Sequence, residues 1–183
     1  MDIFRTTITK SPQETTRLGE EFGSLIVKSQ SFGKTQDDPE QSRTGRKSKV
    51  KSGQDRGALT VCLYGDLGSG KTTFVQGVGK AFGIASRLLS PTFIIVRRYP
   101  VPEQTGFLYH IDLYRMEGEK DLFGLGLPEI LADPDSIVLV EWAEKLGRLL
   151  PKERIDIRFV VMDDGKHNIL LSSSGLTRGS SLK

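Results

Sequence analysis

The sequence predicts an α/β domain, a three-layer sandwich in which a mainly parallel central sheet with antiparallel edge strands lies between helices. Two short, mostly apolar segments, 59–64 and 137–141, have the composition of parallel strands that are buried on both faces. A glycine-rich loop follows the first of them and leads into a segment with helical periodicity. In such domains the loops at the carboxyl edge of the sheet form the binding site, so the chemistry is expected there.

Length and composition exclude several classes of protein. The chain has 183 residues, the length of one domain, and 37% of them are hydrophobic, which can supply a core. A single cysteine, Cys62, rules out an intramolecular disulfide and a cysteine-based zinc site. No apolar run approaches the ~20 residues of a membrane span, and the amino terminus lacks the features of a signal peptide. We therefore expect a cytoplasmic protein that does not bind a membrane.

The amino-terminal elements are expected to be a strand over 3–8 and a helix that ends near Lys28. Ser11 can cap that helix, Pro12 suits its first position, and Glu14 stands three residues after the cap, as in a capping box. These signals agree, so the start of the helix is well defined by the sequence.

Residues 30–57 differ in composition from the rest of the chain. They hold only two large apolar residues, which predicts a disordered or mobile insertion. Their seven basic and four acidic side chains account for the whole net charge of +3. A basic arm for RNA and a solvated loop are both compatible with this charge, and the solvated loop is favoured. One domain is thus expected over 1–171, with a flexible tail at 172–183.

The remaining elements follow from periodicity and from glycine and proline positions. A helix broken by glycines and a proline is expected over 121–131, and a tight turn over 163–166 joins the last two strands. The other expected elements are a helix at 72–82 and strands at 93–99, 107–113, 137–141, 155–162 and 167–171.

The segment Gly65–Thr72 fits the phosphate-binding pattern G-x-x-x-x-G-K-[ST], and its position between strand and helix is that of a P-loop NTPase-like fold. Glycines let successive backbone N–H groups point inward and surround an anion, and the helix amino terminus adds its positive end. Lys71 supplies a charge for the β- and γ-phosphates, the Thr72 hydroxyl can bind Mg²⁺, and Thr73 can reach the α-phosphate. No guanine-reading Asn-Lys-x-Asp sequence is present, which favours ATP over GTP.

Two carboxylates end predicted strands and are candidates for holding the metal and orienting the attacking water. Four apolar residues lead directly into Glu141, and a shorter strand ends at Asp112; for both, a surface charge or a helix cap is the alternative. His110 shares a strand face with Asp112, and a role in core packing or in supporting the site residues from behind is favoured for it over a catalytic one. Trp142 can line the nucleotide site or belong to the core.

Four motifs in order resemble the TsaE family of bacterial ATPases of tRNA threonylcarbamoyladenosine synthesis: Gly65–Phe74, Ser90–Phe93, His110–Arg115 and Glu141–Trp142. The resemblance implies an ATPase that works with TsaB and TsaD. These proteins modify the adenosine next to the anticodon in tRNAs that read ANN codons, so tRNA is expected to be contacted through the complex. It also implies that ATP is needed for multiple turnovers and not for the transfer itself.

The resemblance also implies roles for individual residues. Lys71, Asp112 and Glu141 are the expected catalytic residues, and Thr72, Asp112 and Glu141 the expected Mg²⁺ site. Ser90, Pro91 and Thr92 resemble a switch that senses the γ-phosphate. The residues expected to bind ATP are Asp66, Leu67, Gly68, Ser69, Gly70, Lys71, Thr72, Thr73, Trp142 and Lys166. This chain departs from the family in its insertion and in Lys166, where an arginine is usual and its bidentate fork is lost.

Two other functions remain open from the sequence. A small-molecule kinase would fit the size and the loop, but the segment 117–135, where a lid would fall, holds no arginine. A nucleic-acid-binding module would use the basic insertion, and its affinity would fall steeply with salt.

Overall fold

The structure is a computed structural model that describes residues 2–31, 57–84, 88, 94–102 and 106–174. The strands are β1 (Asp2–Thr9), β2 (Leu59–Tyr64), β3 (Val96–Pro100), β4 (Phe107–Asp112), β5 (Ile137–Glu141), β6 (Arg154–Val161) and β7 (His167–Ser174). The helices are α1 (Pro12–Ser31), α2 (Lys71–Ala81) and α3 (Leu127–Ala132), together with 3₁₀ segments at Glu119–Leu122 and Ala143–Leu149.

All seven of these strands form one sheet in the order β1-β7-β6-β2-β5-β4-β3. The four central strands β6, β2, β5 and β4 are parallel, whereas β7, β1 and β3 join antiparallel at the two edges. The predicted fold class is therefore confirmed. Because β2 lies between β5 and β6, the loop that leaves its carboxyl end has a strand end on each side.

Each face of the sheet carries its own apolar layer, because alternate residues of a strand point to opposite faces. On β5, Ile137 and Leu139 face α1 and α2, whereas Val138 and Val140 face α3 and the two 3₁₀ segments. Helix α1 packs directly on α2 through glycines. A β-carbon at Gly77 would stand 2.0 Å from the carbonyl oxygen of Thr16, so only glycine allows this approach.

The start of α1 matches its sequence signals. The Ser11 hydroxyl accepts a hydrogen bond from the Glu14 amide at 3.2 Å, and the Glu14 carboxylate accepts one from the Lys10 amide at 2.7 Å. The side chain of Glu14 thus reaches one residue further back than in a standard capping box.

Several predicted boundaries need correction. Helix α1 continues to Ser31, so residues 30 and 31 do not belong to the insertion, and 32–56 lie outside the described residues. Strand β7 continues to Ser174, so 172–174 do not belong to the tail, because Ser172 and Ser173 are buried in pairing with β1 and β6. The single helix expected over 121–131 is two short elements, since Gly124 and Gly126 adopt positive φ between them. No helix in the described ranges has the length and apolarity to cross a membrane.

Candidate functional site

The loop between β2 and α2 lies at the carboxyl edge of the parallel strands, as its sequence predicts. Its glycines are required by the backbone: Gly65 has φ 138°, and a β-carbon there would stand 2.4 Å from the carbonyl oxygen of Phe159. Gly70 caps α2 in the left-handed region with φ 99°. The loop therefore leads directly into the amino terminus of α2, whose free N–H groups and positive dipole end are suited to phosphate.

Lys71 is almost fully buried in this loop and is held by three oxygen atoms. Its Nζ donates to the carbonyl oxygens of Gly65 and Asp66 at 2.6 and 2.8 Å, and lies 3.4 Å from the Ser69 hydroxyl. Burial lowers the pKa of the Lys71 ammonium, while nearby carboxylates, Glu141 foremost, oppose that shift. The structure thus concentrates a positive charge where the sequence expects the phosphates to bind.

Glu141 ends β5 and meets the first turn of α2. The Thr72 hydroxyl lies 2.8 and 2.9 Å from the two oxygens of the Glu141 carboxylate and donates to it. Glu141 is buried, with 3% of its surface exposed. The structure therefore places this carboxylate against the hydroxyl that the sequence assigns to Mg²⁺, rather than at the surface.

Asp112 occupies the equivalent place on the neighbouring strand. It is aligned with Glu141 in the β4–β5 register, so the two carboxylates end adjacent parallel strands. Asp112 is 4% exposed, and one of its oxygens accepts a hydrogen bond from the Tyr114 amide at 3.0 Å. Neither acid is the freely solvated surface charge that the sequence left as an alternative.

The donor set fits a magnesium ion that is completed by phosphate. Carboxylate and hydroxyl oxygens are the ligands that Mg²⁺ prefers, and Mg²⁺ is usually bound by one or two carboxylates together with substrate phosphates. Within the described ranges, no group of three histidine, cysteine or acidic residues could hold a metal ion by itself. Thr72, Glu141 and Asp112 would thus hold the ion only together with a nucleotide.

Trp142 borders this site. It follows Glu141 with a positive φ of 59°, rare for a residue of its size, and this turns its ring toward the P-loop. The Nζ atom of Lys71 lies 4.3 Å from the ring centroid, and the Tyr114 ring lies 5.1 Å from it. Trp142 also packs against the apolar layer under α3. Its role in lining the nucleotide site stays a prediction.

Two further residues that the sequence expects to bind ATP, Lys166 and Leu67, lie in loops of the described structure. Lys166 stands in the β6–β7 turn, where its ammonium pairs with Asp164 at 2.6 Å and holds the pKa of that exposed carboxyl below its usual value. Leu67 projects from the loop with 72% of its surface exposed. The expected switch, Ser90–Thr92, lies outside the described residues.

Sequence reasoning missed His167, which it assigned to the surface. The residue begins β7 and is half-buried against the P-loop, since a β-carbon at Gly70 would stand 3.2 Å from its Nδ1 atom. The contact joins β7 to the start of α2, which is distant from it in the chain. Nothing in the sequence predicts this contact, apart from Gly70, whose missing side chain leaves space for the His167 ring.

Comparison with known proteins identifies the family. A profile described as threonylcarbamoyl adenosine biosynthesis protein TsaE matches residues 9–169. The chain is 39% identical over 107 residues to the tRNA threonylcarbamoyladenosine biosynthesis protein TsaE of Rickettsia bellii, covering 58% of this chain and 72% of that relative. It is 39% identical over 115 residues to the protein of the same name from Bacillus subtilis, covering 63% and 70%.

The same name belongs to a Haemophilus influenzae relative that is 34% identical over 119 residues, covering 65% of this chain and 73% of that one. Among solved structures, the crystal structure of Bacillus subtilis YdiB superposes with a TM-score of 0.63 and 23% identity, covering 96% of this chain and 89% of that one; this supports the fold. Because the profile spans most of the folded domain and these relatives agree with it, the chain belongs to the TsaE family, which takes part in tRNA threonylcarbamoyladenosine biosynthesis.

Proposed function

We propose that this chain binds ATP with Mg²⁺ at the P-loop and hydrolyses it as an accessory subunit of tRNA modification. It would act with TsaB and TsaD to allow repeated threonylcarbamoyl transfer to the adenosine next to the anticodon in tRNAs that read ANN codons. The contact between Thr72 and Glu141 carries the proposal, because it joins the end of an apolar strand to the first turn of the P-loop helix. That pairing of a hydroxyl with an acid is the arrangement that P-loop NTPases use around their metal.

Each side chain has a part in that chemistry. Lys71 would exchange its loop carbonyl partners for phosphate oxygens and neutralise charge that develops during phosphoryl transfer. Glu141 and Asp112 supply two acids at adjacent strand ends, one for the metal's coordination sphere and one to orient water. Mg²⁺ when bound would neutralise charge on the phosphate oxygens.

The protein is expected to hydrolyse ATP weakly by itself, because partner proteins often complete P-loop sites. Reconstitution tests this directly. Purified TsaB, TsaD, tRNA and a threonylcarbamoyl donor are combined with and without this chain, and modified tRNA and released phosphate are both counted over many turnovers. ATP-dependent turnover that requires this chain supports the proposal, and turnover that is indifferent to the chain or to ATP contradicts it.

Two substitutions separate binding from hydrolysis. Lys71→Ala is expected to weaken ATP binding severely, whereas Glu141→Gln should bind ATP and lose hydrolysis. Lys80→Ala and Glu153→Gln are matched controls, because both side chains are exposed and lie outside the site. Unchanged hydrolysis in Glu141→Gln would remove the role assigned to that acid.

A further inference from the structure

His110 is a fully buried polar side chain in direct contact with the acid of the site. It lies on β4, two residues before Asp112, and its Nε2 atom is 2.8 Å from Oε1 of Glu141. The same oxygen of Glu141 also accepts from the Thr72 hydroxyl. Glu141 is therefore held from two sides, by α2 and by β4.

The unpaired nitrogen of His110 indicates which atom carries the proton. Within the described part of the chain, Nδ1 is buried and has no hydrogen-bond partner. A buried N–H without an acceptor is more costly than a buried lone pair on nitrogen, and a carboxylate accepts but does not donate. The ring is therefore placed to donate from Nε2 to Glu141.

We propose that His110 is a positioning residue for ATP hydrolysis. Its Nε2–H holds the Glu141 carboxylate in the one orientation that meets Thr72, so that the acid does not turn away along the strand edge. The inference rests on the proposed ATPase function and deepens it. It also gives a reason for a polar side chain inside an apolar layer, since burial of a polar group is tolerated when it is hydrogen-bonded.

The kinetic effect should fall on the chemical step. Binding energy for ATP comes from the loop and Lys71, which His110 does not touch, so the KM for ATP should change little. If the Glu141 carboxylate is no longer held in its orientation, kcat should fall, because the carboxylate then stabilises the transition state less well. A residue that only fills space would instead alter stability without this division between kcat and KM.

Two amide variants provide a matched pair. The nitrogen of a glutamine side chain reaches about as far as Nε2, whereas that of asparagine reaches only as far as Nδ1. With TsaB and TsaD present, His110→Gln should keep kcat within about threefold, and His110→Asn should lower it at least about tenfold with KM unchanged. Equal loss in both variants, or no loss in either, would overturn the inference.

A spectroscopic readout does not depend on activity or on folding of a His110 variant. The chain has two histidines, so ¹⁵N-histidine labelling gives two ring systems, of which only His110 is fully buried. Its ring should show the Nε2–H tautomer with a slowly exchanging proton, and Glu141→Gln should shift that resonance. A proton on Nδ1, or a resonance that ignores Glu141→Gln, would contradict the inference. Absence of hydrolysis in the wild-type chain would instead contradict the proposed function, while the tautomer would still report on the contact.

Discussion

The ammonium of Lys71 lies 4.3 Å from the centre of the Trp142 ring, within the range of a cation–π contact. Trp142 is the only tryptophan in the chain, so tryptophan fluorescence reports on the surroundings of this ring alone. A nucleotide that draws Lys71 toward its phosphates has to remove the ammonium from the ring. Titration with ATP and Mg²⁺ should therefore change tryptophan emission saturably.

Lys71→Ala should weaken ATP affinity at least about 30-fold, the equivalent of about 2 kcal/mol for truncating one partner of a buried charge contact. Calorimetry should measure this loss, because the variant lacks the ammonium whose removal from the Trp142 ring changes the emission. Lys80→Ala, on the same helix but exposed in its last turn, should bind as the wild type does. Binding seen by calorimetry without any change in emission would mean that Lys71 keeps its contact with Trp142.

The sequence was sufficient for the parts of the site that depend on local pattern. The glycine loop, Lys71 and Thr72 follow from one motif, and Glu141 follows from the four apolar residues before it. Parallel pairing of β4 with β5 then explains why Asp112 lies beside Glu141, because the two strands have similar lengths and their starts are aligned. The register that aligns Asp112 with Glu141 confirms that reasoning.

Other features depend on contacts between distant segments and could not be read from local pattern. The His167 ring reaches Gly70 only because β7 pairs antiparallel with β6, beside the strand that leads into the loop. The positive φ of Trp142 has no sequence signal, since glycine is the residue that usually marks such a position. Element ends were also missed where burial extends a strand, as at Ser172 and Ser173.

Cys62 should be inert to thiol reagents in the folded protein. Burial, followed by the nearby Asp156 carboxylate, raises the pKa of the thiol from its usual 9.0 to about 12, so almost no thiolate exists at neutral pH. A chromogenic disulfide reagent at pH 8 should label the chain only when denaturant unfolds it, and the labelling rate should follow the unfolded fraction. Rapid labelling without denaturant would contradict the burial of this residue.

The raised pKa of Cys62 makes the stability of the fold depend on pH in the alkaline range. The unfolded chain releases the Cys62 proton near its usual pKa of 9.0, whereas the folded chain keeps it to about 12, so the free energy of unfolding falls as pH rises through that window. Burial also raises the pKa of Tyr64, which adds to the fall above its usual value of 10.0. Urea unfolding at several pH values measures the slope, and Cys62→Ala should make it shallower. If the wild type and Cys62→Ala show the same slope, titration of groups other than Cys62 causes the pH dependence.

Asp156 should be important for stability rather than for activity. This fully buried carboxylate accepts hydrogen bonds from Tyr64 at 2.9 Å and from Arg154 and Ser174 at 2.8 Å, which joins β2, β6 and β7. Asp156→Ala should lower the free energy of unfolding by about 3–5 kcal/mol, because it leaves a part-buried arginine without its partner. Asp163→Asn, an exposed position in the β6–β7 turn, serves as the control in the same denaturant series. A loss below about 1 kcal/mol would show that the network contributes little.

Gly77→Ala should separate α1 from α2. The added β-carbon would stand 2.0 Å from the Thr16 carbonyl oxygen, and backbone on both helices would have to move, at a cost of about 1–3 kcal/mol. Gly118→Ala is the matched control, because its backbone is extended and its β-carbon would meet nothing within 4 Å. Thermal unfolding should show a lower Tm for the first variant and a nearly unchanged Tm for the second. Equal values would mean that the helices can relax apart without loss.

Replacement of residues 32–56 by a Gly/Ser linker of about twelve residues should leave the fold and the tRNA modification intact. The boundaries follow the structure: α1 continues to Ser31, and the Ala58 amide donates to the Leu131 carbonyl oxygen at 2.9 Å, so both flanks belong to the packed domain. The replacement removes seven basic and four acidic side chains, which leaves the remaining charges balanced. Thermal unfolding and reconstituted turnover with TsaB and TsaD should match the wild type. A selective loss of turnover that is restored at low salt would instead indicate that this basic segment contacts tRNA phosphates.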